Sequence, residues 1–144
     1  MHVVGLLTAI TKKYIAKEIT ANEFIQKLTN YMTDDVVFWS NYTPSWEPLR
    51  PLFSERYGIE EIVERYDYED RYEEIKGGSG APFDFSISGD VVYYSQHETA
   101  SFFNKEDVTW DMVTKIQFKD GKIAHIDMFL DSAPIEKVYG TSVD

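Results

Sequence analysis

Two side chains in the second half of the chain have the chemistry of proton transfer. Asp127 stands in KIAHIDMFL (122–130), between Ile126 and Met128. A carboxylate held among large apolar groups has its charged form disfavoured, which is what a general base working near neutrality needs. His97, in VVYYSQHETASFF (91–103), is the matching candidate for an acid, a base or a polarising donor. They can act on one substrate only if their strands turn the same face to one pocket.

Asp120 and Gly121 bear on that point. An Asp-Gly pair between two alternating runs specifies a two-residue type I′ hairpin, because that turn needs φ > 0 at both central positions. Its register sets Phe118 opposite Ile123, Ile116 opposite His125, Thr114 opposite Asp127, Met112 opposite Phe129 and Trp110 opposite Asp131. Directly opposed residues share a face, so Asp127 is expected on the aromatic, apolar side. A four-residue loop over 104–107 then brings Phe103 opposite Val108 and His97 opposite Thr114, on that same side. Strands two apart are separated by roughly 9–10 Å, so a substrate or a water would bridge His97 and Asp127. Tyr14, Trp39, Trp46, Trp110, Thr114, Phe129 and Asp131 complete the expected ligand lining, core packing being the alternative for the aromatic members.

The elements that must hold these residues follow from periodicity. Val3, Leu6, Leu7, Ile10, Tyr14 and Ile15 recur at helical spacing over 3–17. Thr20 and Glu23 form a capping box that opens a second helix, whose stripe is Phe24, Ile25, Leu28, Tyr31 and Met32. Val36, Val37, Phe38 and Trp39 read as a short strand. The segment 40–57 carries Pro44, Pro48 and Pro51 and reads as a long aromatic loop. Ile59, Ile62, Val63 and Tyr66 predict a third helix, compatible with the sequence as far as Ile75, and Lys76 to Pro82 reads as a flexible connection. From Phe83 the period becomes two, over 83–88, 91–103, 108–118 and 122–130: four strands in an antiparallel meander, then a short turn or helix at 133–138. Helices first and strands after is the α+β pattern, here a cone in which a curved antiparallel sheet wraps around N-terminal helices.

Composition bounds the function. At 144 residues the chain is expected to form one domain, 1–144, large enough for a single core. Its net charge of −11, with Lys and Arg scattered, argues against nucleic acid and anionic membranes as partners. The absence of cysteine excludes disulfides and thiolate sites and suits a cytoplasmic location. The first ten residues read as helix rather than signal peptide, and no apolar run has the ~20 residues of a membrane span. The acidic run Asp67, Glu69, Asp70, Glu73, Glu74 reads as a solvated face; no metal site, phosphate loop or dinucleotide motif occurs, so no cofactor is expected. Both faces of 122–130 are largely apolar, which points to a homodimer through the sheet.

The two N-terminal helices, TDDVVFW, the Pro-rich aromatic loop, GIEEIVERY and the closing FKDGKIAHIDMFLD together resemble the nuclear-transport-factor-2-like superfamily, especially its SnoaL-like branch, over almost the whole chain. The resemblance implies a cystatin-like cone with a small-molecule cavity, related to polyketide cyclases, limonene epoxide hydrolase and ketosteroid isomerase. By position, Asp127 looks like the closing-strand aspartate that is the base in the epoxide hydrolase; Asp127 or Asp131 matches the acidic base of the cyclases. His97 and Thr99 stand where that hydrolase has arginine and a second aspartate, and Thr114 and Ser40 stand where the isomerase has its acidic residues, so neither of those complete sets is present. The expectation is a cofactor-independent acid–base enzyme acting on a small apolar organic molecule. The alternatives are a non-catalytic binding protein and a dimerisation or scaffold module.

Overall fold

The computed structural model describes residues 2–72, 74–76, 80–103 and 105–140, and of residues 2–4 the backbone alone. Glu73, the Gly77, Gly78 and Ser79 portion of the expected flexible connection, and Asn104 of the expected 104–107 loop lie outside the described residues.

Helix α1 (His2–Ile15) turns Leu7 and Ile10 into the core, with Leu6 and Tyr14 partly buried beside them. Helix α2 (Ala21–Leu28) starts at the capping box: the Glu23 N–H donates to Thr20 Oγ1 at 3.0 Å and the Thr20 N–H to the Glu23 carboxylate at 3.1 Å. Strand β1 (Met32–Ser40) buries Val36 and Phe38 completely. The proline-bearing segment then folds into a 3₁₀ turn at Glu47–Leu49, a single helical turn α3 (Arg50–Phe53) and the two-residue strand β2 (Arg56–Tyr57).

Gly58, at φ +84, makes the corner into α4 (Gly58–Arg71), and a Cβ there would stand 3.6 Å from the Asp34 carbonyl oxygen. The helix ends at Arg71. Ile75, which the sequence allowed as helix, instead pairs with Phe102 in strand β3 (Ile75–Lys76). The expected meander follows as β4 (Phe83–Ser88), β5 (Val91–Phe102), β6 (Val108–Lys119) and β7 (Lys122–Leu130), and α5 (Ala133–Tyr139) closes the chain.

The strands make one sheet in the order β2-β1-β7-β6-β5-β3, with β4 also on β5. Among the described residues its one departure from an antiparallel sheet is β1, which runs parallel to β7. Helices α1, α2 and α4 cover the concave side and form the main core with Val92, Ile116, Phe118 and Ile123. A second cluster, around Leu49, Phe53, Trp110, Leu130, Ile135 and Tyr139, closes the other end of the cone. Tyr139 ties α5 down: its hydroxyl accepts the Phe102 N–H and donates to the Glu106 carbonyl, both at 2.8 Å.

Two register changes decide which side chains face inward. The Asp120–Gly121 turn pairs Lys119 with Lys122 and Phe118 with Ile123, as its type demands. Immediately after, β7 takes one extra residue: Gln117 lies opposite His125, leaving Ala124 unpaired. From there on Thr114 faces Met128, Lys115 faces Asp127 and Met112 faces Leu130. A slip of one residue exchanges the two faces of a strand, so Asp127, Phe129 and His125 belong to the convex side. On β5, the residues Ser101 and Phe102 pair with β3, and Ala100 meets Val108. His97 consequently faces Asp111 instead of Thr114, an odd offset that also turns it outward.

Candidate functional site

The inner faces of β5 and β6 present Tyr94, Gln96 and Glu98 beside Thr114, Met112 and Trp110, as three successive cross-strand pairs. Opposite them, one face of α4 supplies Arg65, Tyr66 and Glu69 at helical spacing, and α1 supplies Tyr14. These groups line a cavity of about 160 Å³ whose remaining wall is almost wholly aliphatic and aromatic.

The helical side of the cavity is an ion pair with a phenol attached. Arg65 Nη1 lies 2.8 Å from Glu69 Oε2, its Nε donates to the Leu52 carbonyl at 3.1 Å, and the guanidinium stands 4.5 Å from the Tyr66 ring centre. The Tyr14 hydroxyl donates to Glu69. Burial, and next the Glu69 carboxylate, push the Tyr14 phenol well above its ordinary range. Burial opposes the Arg65 charge, but Glu69 and the two phenols more than offset it. Arg65 is thus a fixed cation, and Tyr14 a neutral donor.

The strand side holds Glu98, which is 7% exposed. Burial raises its carboxyl to about 7, the Glu69 carboxylate adds to this, and a backbone hydrogen bond from Gly80 acts against it. Gln96 positions it: Nε2 donates to Glu98 Oε1 at 3.1 Å and to the Gly80 carbonyl at 2.9 Å, while Oε1 faces the Thr114 hydroxyl at 3.4 Å. Gly80 is packed so closely that a Cβ there would lie 2.3 Å from the His97 carbonyl oxygen and 2.6 Å from Glu98 Oε1. Gln96 and Gly80 therefore crowd Oε1. Trp110, the cross-strand partner of Glu98, has its indole N–H buried with no acceptor among the described residues. A carboxyl that titrates near neutrality beside a fixed cation and neutral donors can accept or deliver a proton inside an apolar space.

Of the residues expected to line the site, Tyr14, Trp110 and Thr114 reach this cavity. Asp127 and His97 do not. His125 Nδ1 stands 2.8 Å from Asp127 Oδ1 on the convex face. His97 pairs with Asp111 on that face. Trp39 and Phe129 pack edge to face there, ring centres 5.4 Å apart. Trp46 lies at the other end of the molecule against Phe103 and Tyr139, and Asp131 accepts the Ala133 N–H at 3.3 Å in an exposed turn. Both misplacements follow from the two register changes described above. Sequence reasoning passed over Glu98, Arg65 and Gln96, and it read Glu69 as part of a solvated face, whereas that side chain is 14% exposed and lines the cavity. The signal available was alternation: with Trp110, Met112 and Thr114 inside, their true partners on β5 are the even-numbered residues. Among the described residues no group of three or more His, Cys, Asp or Glu could hold a metal ion.

No protein-family model matches the chain, and no curated protein sequence does. Solved structures do. TerC, co-crystallised with polyporic acid, is 16% identical with a TM-score of 0.69, over 96% of this chain and 98% of that one. A Mesorhizobium loti protein described as a SnoaL-like polyketide cyclase is 17% identical with a TM-score of 0.62, over 89% and 98%. An LEH-like epoxide hydrolase of M. tuberculosis is 12% identical with a TM-score of 0.61, over 91% and 86%. Other neighbours are described as NTF2-like or as having a ketosteroid isomerase-like fold. The chain has the NTF2-like α+β cone; at such identities the likeness is one of fold.

Proposed function

We propose that the protein binds one small, mostly apolar organic molecule in the cone and moves a proton on it through Glu98. The observation that carries this reading is a carboxyl with a pKa of about 7, buried in a mostly apolar cavity whose polar groups include the Arg65–Glu69 pair. Protonated, Glu98 delivers a proton to a developing alkoxide or enolate; ionised, it removes one from a carbon acid or a hydroxyl. Arg65 favours negative charge developing on a substrate oxygen, and Tyr14 holds the Glu69 carboxylate that pairs with it. Thr114 acts through Gln96, orienting Glu98.

Size narrows the ligand. A cavity of about 160 Å³ is comparable to the roughly 150 Å³ apolar cavity known to take benzene, and smaller than the about 300–1,000 Å³ of drug-sized sites. A single-ring molecule with one or two oxygen functions fits without expansion. Fold relatives that are an epoxide hydrolase and a protein co-crystallised with polyporic acid support an oxygenated organic ligand in this architecture. A non-catalytic binding role uses the same contacts and differs only in releasing the ligand unchanged.

The convex face is the proposed contact with a second copy of the chain. Phe129, Val113 and Tyr93 are 42%, 39% and 38% exposed there, around the His97–Asp111 and His125–Asp127 pairs.

The experiment is a thermal-shift screen of wild type and Glu98→Gln with single-ring ketones, phenols, lactones and epoxides, followed by product analysis of every hit. Stabilisation that follows a pKa near 7 in wild type and loses that dependence in the variant supports the reading; conversion that disappears in Glu98→Gln makes it enzymatic. Conversion at an equal rate in Glu98→Gln removes Glu98 from the chemistry. Hits with identical pH dependence in both proteins remove it from the binding site.

A further inference from the structure

A second concavity lies outside the cone, where the 3₁₀ turn at Glu47–Leu49, the C-terminal half of α4 and the end of β5 meet. Its volume is about 510 Å³, and its walls are Trp46, Pro48, Pro51, Tyr68, Tyr72 and Phe103. The four aromatic rings form a chain of edge-to-face contacts: Trp46 to Phe103 at 5.5 Å and 88°, Phe103 to Tyr72 at 5.4 Å and 65°, Tyr72 to Tyr68 at 5.2 Å and 63°. The Tyr68 hydroxyl then donates to the Pro48 carbonyl at 2.7 Å, two residues from Trp46, and closes the chain into a ring through the backbone of 46–48.

Phe103 joins this ring from a backbone at φ +55, a conformation that bulky residues rarely adopt and that persists only where the surroundings enforce it. Here its N–H donates to the Glu74 carbonyl at 2.9 Å, holding the turn in place.

Charges of both signs stand around the ring. Among the described residues lining the concavity, Glu47 is the charged one, and its side chain is exposed. Two of the chain's own cations already rest on these rings: Lys105 Nζ is 4.6 Å from the Trp46 ring centre, and the Arg71 guanidinium is 5.9 Å from that of Tyr68. Mutually tilted aromatic walls with a carboxylate at the rim suit a cation without N–H groups, which sheds little hydration and gains from several ring faces at once.

We propose that this concavity is a binding site for a small free organic cation bearing a quaternary ammonium group, caged by Trp46, Tyr68, Tyr72 and Phe103, with Glu47 as counter-charge. The site is separate from the cavity around Glu98 and does not depend on its proposed function.

The test uses choline as probe and 3,3-dimethyl-1-butanol, its neutral isostere, as control, followed by the indole N–H resonance of Trp46 in the intact protein. Choline should shift that resonance saturably, and the neutral isostere should bind at least about fivefold more weakly. Glu47→Gln, at an exposed position, should weaken choline about three- to fivefold; Tyr72→Leu should abolish the shift; Glu98→Gln should leave it unchanged. Melting curves on each variant establish that it is folded. Equal binding of the two probes, choline binding that survives both Glu47→Gln and Tyr72→Leu, or no saturable shift at all would each overturn the proposal. A trimethyllysine peptide that binds more than tenfold tighter than choline would also overturn it, by making a protein the occupant.

Discussion

Gln96 and Glu98 are neighbours two residues apart on the inner face of β5, and the amide of the first holds one oxygen of the second at 3.1 Å. Because the same amide nitrogen also donates to the Gly80 carbonyl, the carboxyl is fixed in the cavity without being neutralised by a cation. Burial then decides its titration, and the cone contains a proton that leaves near pH 7.

Glu98 gives the fold a pH signature of definite sign. Its folded pKa of about 7 lies above the ordinary 4.5, so the folded protein binds the proton more tightly than the unfolded chain. The cost of burying its charge is absent below about pH 4.5, grows as pH rises to 7, and is constant above that; in full it amounts to about 3 kcal/mol. Urea denaturation of Glu98→Gln should show stability above wild type at pH 8 by about 1–3 kcal/mol, with the gap closing at pH 5.

Removing one member of the Arg65–Glu69 pair strands the other. Their side chains are 12% and 14% exposed, and Arg65→Met leaves a buried carboxylate without its cation. The expected loss is about 3–5 kcal/mol, measured by chemical denaturation at pH 7. Tyr14→Phe, which removes the hydroxyl donated to Glu69, should cost about 1–3 kcal/mol.

Glu136 fastens the proline-bearing segment to α5. It accepts from Tyr42 Oη at 2.9 Å, from the Ser45 N–H at 2.9 Å and from Ser45 Oγ at 2.6 Å. Burial works to raise its carboxyl, but these bonds outweigh it and hold the group below its ordinary value. Its stabilisation is present above the unfolded pKa and is lost as pH falls through the folded one. Glu136→Ala should therefore destabilise at pH 7 by about 1–3 kcal/mol and by less at pH 3, read from melting curves at both pH values.

The outer sheet face predicts an assembly state. Phe129 and Val113 are directly opposed on β6 and β7 and both are substantially exposed. Sedimentation at micromolar concentration should give a dimer for wild type and a monomer for Phe129→Asp, with the secondary structure unchanged. A monomeric wild type would remove the second copy as the partner of this face.

How much of this was legible depended on the length scale of each signal. The capping box at Thr20, the stripes of α1 and α4, and the period-two strands are written within a few residues and stand where expected, whereas the α2 stripe stops at Leu28, with Tyr31 in a 3₁₀ turn and Met32 opening β1. The inward face of β6 was legible for the same reason. Its neighbours were not: the Asp120–Gly121 turn specifies the register of the first two pairs only, and the extra residue at Ala124 lies beyond its reach. An alternation count would have signalled it, because Ile126, Met128 and Leu130 make a better inner face than His125, Asp127 and Phe129. Glu98 was harder to see, since its burial depends on Gly80 and Gln96 meeting across a connection and on α4 supplying Arg65 from a distant part of the chain.

The unpaired Ala124 acts as a switch between two versions of the same cone. With Ala124 kept and the ladder unbroken from the turn, Ala124 would lie opposite Gln117 and Asp127 opposite Thr114, moving His125 and Asp127 to the inner wall and Ile126, Met128 and Leu130 to the outside. Closing the bulge thus exchanges an aliphatic lining for an ionisable one with no change of sequence, whereas deleting Ala124 removes the bulge and keeps the aliphatic lining.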